Sequence, residues 1–183
     1  MTQPMKLPYD LVVVDVETNG LLEAPEVRIT EIGAAVLKTD GTLGPRMNQL
    51  IDGRPVGPKS NVITDAMLEG QPLFGEFAPK FPRWCWDHSK NFVFAAWNTN
   101  LILSTLRWEY HRTNTRFPFP SKGLCARSVA LAHFWRSNVF VASCGIDKAL
   151  RMLGLSFEGT PYRAGDDAYN VARILQKIFG FAP

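Results

Sequence analysis

Two carboxylates, Asp15 and Glu17, stand one residue apart at the end of the run Leu11-Val12-Val13-Val14-Asp15-Val16. A continuous Val-rich run predicts a strand buried on both faces, in the middle of a sheet. Side chains two apart share one face of a strand, so both acids point the same way. Two carboxylates at the edge of a core repel each other and resist desolvation unless a cation joins them. Hard divalent cations such as Mg²⁺ or Mn²⁺ take oxygen ligands and suit such a pair. The alternative is a strand that ends in a polar turn at Thr18-Asn19-Gly20.

A third carboxylate comes from the C-terminal helix. Its apolar stripe is Val171, Ile174, Leu175 and Ile178, and Asp167 lies on that stripe four residues before Val171. Asp166 falls about 100° away, on the side of Asn170, Arg173 and Lys177. Asp167 is therefore expected to face the sheet from the first helical turn, where the helix dipole favours an acid. Capping of free backbone N–H groups by either aspartate is the competing reading.

The elements that must position these groups follow from patterning. Met1 to Tyr9, with two prolines, reads as a loose lead-in before the first strand. Ile29–Leu37 is a second strand, in which Gly33 allows close approach. Lys38-Thr39-Asp40-Gly41 signals a hairpin, and a third strand returns around Met47–Ile51. A short helix is expected over Thr64–Glu69 and a second over Leu73–Trp84. Phe92–Trp97 reads as a buried strand, after which Asn98 caps a helix over Leu101–Arg112. Further helices are expected over Ser128–Trp135, Ile146–Leu153 (stopped by Gly154) and Gly165–Phe179. Three strands in hairpin succession, then strands alternating with helices, argue one mixed-sheet α/β domain spanning residues 1–183.

Composition sets outer bounds. At 183 residues and net charge +3, the chain is long enough for one sizeable core and carries no basic block demanding nucleic acid. Three widely spaced cysteines, Cys85, Cys125 and Cys144, fit no metal pattern and read as reduced, mostly buried thiols. No signal-peptide-like or membrane-length apolar run is present, so the expected location is the cytoplasm and no membrane partner is expected. Trp84-Cys85-Trp86 reads as core or as a contact in a homodimer.

The pieces together are specific. Asp-x-Glu-Thr closing the first strand, Ile-Thr-Glu-Ile-Gly-Ala in the second and Gly-x-Asp-Asp-Ala-x-Asn-x-Ala near the C-terminus resemble the DEDD exonuclease superfamily. Residues 159–174 are the closest stretch, and Val62–Leu68 resembles the start of that family's first helix. The likeness is nearest to the small DEDDh exonucleases of the ERI-1/KapD-like and DnaQ-like groups. It implies an RNase H-like fold, a mixed five-stranded sheet flanked by helices. It also implies removal of nucleotides from the 3′ end of single-stranded RNA or DNA with two Mg²⁺ or Mn²⁺ ions. By motif, Asp15, Glu17 and Asp167 would be metal ligands. Two ions about 4 Å apart activate water and neutralise charge at the phosphate, and a nearby base takes the proton. The resemblance further places Thr18, Asn19, Gly20 and Leu21 at the terminal nucleotide. Trp97 is then a stacking platform or core filling, and Arg163 a phosphate contact or a solvated side chain. Phe117-Pro118-Phe119-Pro120 is either a lid or a packed loop.

The sequence departs from that pattern twice. The family's second aspartate corresponds to Leu101, or to Asn100 if the loop is one residue shorter. The family's general-base histidine, five residues before the last aspartate, corresponds to Tyr162. A tyrosine resembles the sister DEDDy group, whose Tyr-x-x-x-Asp spacing fits Tyr162 and Asp166. A neutral phenol with a pKa near 10 is a poor base at neutral pH. One metal with Asp15, Glu17 and Asp167 is compatible with what remains, with Asn100 or an unassigned group as substitute and Tyr162 orienting water. The expected function is metal-dependent 3′–5′ exonuclease activity, weakened by these losses. The alternative is a catalytically inactive pseudo-exonuclease that binds nucleic acid or a protein partner.

Overall fold

A computed structural model describes residues 6–20, 26–56, 62–120 and 122–181. Leu21 and the first five residues of the lead-in lie outside the described residues. The described elements are β1 (Asp10–Thr18), β2 (Ile29–Leu37), β3 (Leu43–Leu50), α1 (Asp65–Leu68), α2 (Phe74–Phe77), α3 (Lys80–His88), β4 (Phe92–Ala96), α4 (Thr99–Arg112), β5 (Gly123–Cys125), α5 (Ala126–Arg136), α6 (Ile146–Met152) and α7 (Ala164–Ile178). The strands form one five-stranded sheet in the order β3-β2-β1-β4-β5. β1 pairs antiparallel with β2 and parallel with β4, so it occupies the centre of the sheet.

Burial on both faces follows from alternation along β1. Val12, Val14 and Val16 pack with Phe77, Phe81, Phe94 and Leu106 on the face covered by α2, α3 and α4. Leu11 and Val13 pack with Ala35, Ala95, Ala168, Val171 and Leu175 on the face covered by α7. Asp15 and Glu17 continue the second register and therefore meet α7. A third cluster joins α5, α6 and α7 through Phe134, Leu150 and Ile174.

Several expected boundaries move. The helix expected over Leu73–Trp84 is two helices, α2 and α3, because Pro79 at the start of α3 has no N–H to continue the α2 ladder. β3 begins at Leu43 rather than near Met47, since its pairing with β2 extends from Glu31–Leu50 to Leu37–Leu43. β5 carries no periodic signal over its three residues. It forms because parallel pairing of Gly123, Leu124 and Cys125 with Phe94, Ala95 and Ala96 extends the sheet edge. Asn98 stands at the start of α4 but makes no side-chain cap. Thr99 instead donates its hydroxyl to the Leu124 carbonyl at 2.5 Å, tying α4 to β5. The lead-in is anchored, because Leu7 is buried in the α7-side core. Phe117 and Phe119 pack into the opposite core, so the proline-rich loop is a packed loop and not a lid. Trp84 joins the same core and Cys85 is fully buried in it, while Trp86 is partly exposed beside Phe119. The three cysteines are free thiols.

The α7 face around Asp166 is covered, contrary to its polar pattern. Asn170 is fully buried and bonds the Glu158 backbone through both its side-chain oxygen and nitrogen. Arg173 donates to the Ser156 carbonyl and pairs with Glu158. The loop before α7 therefore lies back on the helix. Across the sheet the approach is tighter still. A Cβ on Gly33 would lie 2.0 Å from the carbonyl carbon of Ala164 and 2.1 Å from the Gly165 nitrogen. Only glycine allows α7 to start against β2 at this distance. Replacement of Gly33 by Ala is expected to destabilise the fold by about 3 kcal/mol, read from urea denaturation midpoints. An unchanged midpoint would refute this account of the β2–α7 contact.

Candidate active site

β1 delivers Asp15 and Glu17 toward α7, and the first turn of α7 delivers Asp167 toward β1. Each of the three acids offers an oxygen within 4.8 Å of the others. Asp167 is buried, while Asp15 and Glu17 are half-buried at the rim of the core. Asp166 turns the other way. Its carboxylate accepts the Thr160 N–H at 2.9 Å and stands 3.9 Å from Arg46, so it braces the loop before the helix.

The electrostatics of the three acids reflect their crowding. Burial, then the charges of Asp167, Glu17 and Glu31, raise the Asp15 carboxyl well above its ordinary value. Burial, with the charges of Asp167 and Glu31, pushes Glu17 up to about 7, although Arg163 pulls it back. Burial pushes Asp167 up to about 6, opposed by the backbone of Tyr162. Three carboxyls that resist ionisation within 4.8 Å of one another make an all-oxygen set that fits a hard divalent cation.

The other expected site residues are placed as follows. Thr18 donates its hydroxyl to the Gly20 carbonyl at 2.8 Å. Asn19 is engaged in holding loops together. Its amide nitrogen donates to the Gly53 and Pro55 carbonyls, and its oxygen accepts the Arg28 N–H. Trp97 follows β4, half-buried against the α5, α6 and α7 clusters, so its ring fills core. Asn100 and Leu101 lie on the first turn of α4 with exposed side chains. No acid from this turn joins the carboxylate cluster among the described residues. Tyr162 is 64% exposed and has a backbone φ of 63°, a left-handed conformation that a bulky residue seldom adopts. It thus stands outside the core, two residues before the first turn that carries Asp167.

Arg163 is not a solvated side chain. Its Nε and Nη2 donate to Glu31 Oε1 at 2.8 and 2.6 Å, which leaves Nη1 as the guanidinium nitrogen not committed to Glu31. Glu31 is the residue that reading by motif passes over. It is fully buried, also accepts the Ala164 N–H at 2.7 Å, and receives the Asn48 amide at 2.7 Å. The available signal was an acid inside Ile29–Leu37, an otherwise apolar strand. Such a charge is tolerated in a core only with several donors around it.

Central acidic strand, antiparallel neighbours on one side, parallel strands on the other and a C-terminal helix closing the acid cluster define an RNase H-like exonuclease fold with a carboxylate cluster able to hold a metal ion. The family model RNase_T, described as exonuclease, matches residues 12–175. The chain therefore belongs to the RNase_T exonuclease family, a divalent-metal-dependent group within the DEDD superfamily. It is 29% identical over 168 residues to the DNA polymerase III subunit epsilon of Treponema pallidum (strain Nichols), covering 90% of this chain and 72% of that protein. Among solved structures it is similar to cell-death related nuclease 4 (CRN-4), with a TM-score of 0.79 and 16% identity over 94% of this chain. It spans 63% of that nuclease. It is also similar to the nuclease domain of 3′hExo, a DEDDh family member bound to rAMP. There the TM-score is 0.77 and the identity 17%, over 92% of this chain and 91% of that domain. At these identities the structural likenesses establish the fold. No helix among the described residues is long and apolar enough to cross a membrane.

The raised carboxyls set a pH signature. Glu17 and Asp167 have ordinary values of 4.5 and 3.8 and titrate at about 7 and about 6 in the fold. Between these limits the folded chain binds more protons than the unfolded chain, so stability falls as pH rises. The stabilising contribution is complete below about pH 4 and lost as pH passes through about 7. In chelator, the melting temperature is therefore expected to decline over this window. Millimolar Mn²⁺ is expected to flatten the decline, because the cation replaces the protons. Melting curves at several pH values, with EDTA and with Mn²⁺, check this. A decline of equal slope in both conditions would contradict a cation site here.

Proposed function

We propose that this protein is a metal-dependent 3′–5′ exonuclease acting on single-stranded RNA or DNA, with a rate reduced by an incomplete catalytic set. The observation that carries this reading is the convergence of Asp15, Glu17 and Asp167 from β1 and α7 within 4.8 Å. Mg²⁺ or Mn²⁺ held by these three acids would supply the positive charge that a scissile phosphate needs and lower the cost of ionising water beside it.

The chain's own residues then have distinct tasks. Thr18 and Gly20, at the end of β1, meet the terminal nucleotide through short groups and backbone. Arg163, aligned by Glu31, directs Nη1 to a phosphate oxygen. Asn100, on the exposed first turn of α4, is a neutral oxygen donor where the family's pattern has an acid. The Tyr162 hydroxyl holds a water by hydrogen bonding, a positioning task and not the base's task that a histidine has in the family's pattern. A missing general base alone lowers a rate by about 10²–10⁴-fold.

The pseudo-exonuclease reading rests on a specific observation as well: neither Asn100 nor Leu101 carries charge, and Leu101 points outward, 42% exposed. In that reading the acids keep one cation and the protein binds a nucleic-acid end without cutting it. Degradation of end-labelled single-stranded RNA and DNA separates the two. Shortening from the 3′ end that needs Mn²⁺ or Mg²⁺ and falls at least about 100-fold in Asp15→Ala or Asp167→Ala is expected. Equal shortening in wild type and variants would remove the enzymatic reading. Binding without any shortening would leave the pseudo-exonuclease.

Tyr162→His tests the missing base directly. Histidine tolerates the left-handed backbone at this position and has a pKa near neutrality. The rate is expected to rise on the order of 10²-fold, seen in single-turnover kinetics. No gain would mean that the base is not what limits this site.

A further inference from the structure

Every α-helix begins with backbone N–H groups that no residue of the helix can accept, and a short polar side chain at the N-cap normally takes one of them. α7 begins differently. Its N-cap is Arg163, whose side chain has no acceptor to offer and makes no cap bond. The first two N–H groups are taken across the sheet: Ala164 donates to Glu31 Oε2 at 2.7 Å and Gly165 to Asn48 Oδ1 at 3.0 Å. Glu31 lies on β2 and Asn48 on β3. The two side chains are themselves joined, since Asn48 Nδ2 donates to Glu31 Oε1 at 2.7 Å. Glu31 Oε1 also takes the Arg163 fork.

We propose that Glu31, with Asn48, is a positioning residue of the acid site: it caps α7 from the sheet and so holds Asp167 against Asp15 and Glu17. This consequence for the site rests on the metal-site reading above. Glu31 stands close enough to raise the proton affinity of all three acids. Its oxygens, however, are committed to four donors from Arg163, Asn48 and Ala164. A carboxylate so engaged is a support for the cluster and not a fourth ligand. The geometry leaves α7 little freedom. Gly33 admits the Ala164 carbonyl against β2, and a Cβ on Gly165 would stand 2.8 Å from the Asn48 Cβ. Asp167 follows Gly165 by two residues, and its own N–H donates to the Arg163 carbonyl at 2.9 Å. Any slackening at Glu31 therefore passes through Arg163 and the first turn to the ligand.

Glu31→Gln separates support from simple bulk. Glutamine keeps the size but puts an NH₂ group where either the Ala164 N–H or the Arg163 fork needs an acceptor. Two measurements are made on the full chain: residue-resolved amide exchange in chelator, and Mn²⁺ dissociation constants from calorimetry at a temperature where the variant is folded. In E31Q, exchange at Ala164, Gly165 and Asp167 is expected to accelerate at least tenfold while the β1 amides stay protected. Mn²⁺ binding is expected to weaken about 10–100-fold, the usual cost of losing a group that supports a ligand. Unchanged protection at Asp167, or an unchanged Mn²⁺ constant where wild type binds the ion, would overturn the proposal. If wild type binds no Mn²⁺, the metal reading fails, and the exchange result alone decides whether Glu31 positions the helix. Should E31Q not fold, Asn48→Ala carries the test. Faster exchange at Gly165 and Asp167 supports the proposal, and wild-type protection at both overturns it.

Discussion

Repulsion among Asp15, Glu17 and Asp167 is the constraint on which this structure turns. Each acid is at least half-buried and lies within 4.8 Å of the other two, so solvent relieves little of the charge. The fold opposes that repulsion by fixing the backbones that carry the acids. β1 is locked between β2 and β4 at the centre of the sheet. α7 is locked by apolar packing along Ala168, Val171 and Leu175 and by the contact of its first turn with Gly33. What remains is an unfavourable electrostatic arrangement held in place by packing, and such an arrangement is well suited to receive a cation.

Arg163 and Glu31 belong to the same balance. A single guanidinium near Glu17 lowers the cost of that acid's charge, and Glu31 keeps the guanidinium where it can do so. Without Glu31 the arginine would have Glu17 as its neighbour in the cluster and could compete with a cation for that carboxylate. With it, the fork is committed and the acids stay available. The pairing thus serves two ends with one buried charge: it aligns the arginine and starts the helix.

The positions that the resemblance reads as departures, Asn100 or Leu101 and Tyr162, have exposed side chains. Thr99 pins the start of α4 to β5, and the same first turn presents Asn100 and Leu101 to solvent. Tyr162 likewise lies outside the core, on a loop whose backbone is braced by Asp166 at Thr160. The buried half of the constellation, which the core must accommodate, is intact. Asn100, Leu101 and Tyr162 are exposed, where packing constrains residue type least. Folding therefore constrains these three positions little, and the kinship of the fold to exonucleases does not by itself carry the reaction.

Much of this was legible in the chain. The Val-rich run ending in Asp15 and Glu17 names a central strand and a shared face because side-chain alternation is local. The stripe through Val171, Leu175 and Ile178 selects Asp167 over Asp166 because helical periodicity is equally local. Tertiary structure alone decided the rest. β5 has no pattern of its own and exists through pairing with β4. Pro79 divides a helix whose apolar spacing reads as continuous. Asn19 and Trp97, polar and aromatic candidates for substrate, are engaged by Gly53 and Pro55 in one case and by the helical core in the other. Glu31 meets Arg163 and Ala164 across 132 and 133 residues of chain, a separation over which no periodicity carries information. Which residues share a face is written in spacing. Which partner a buried charge finds is settled only when the sheet and the helix come together.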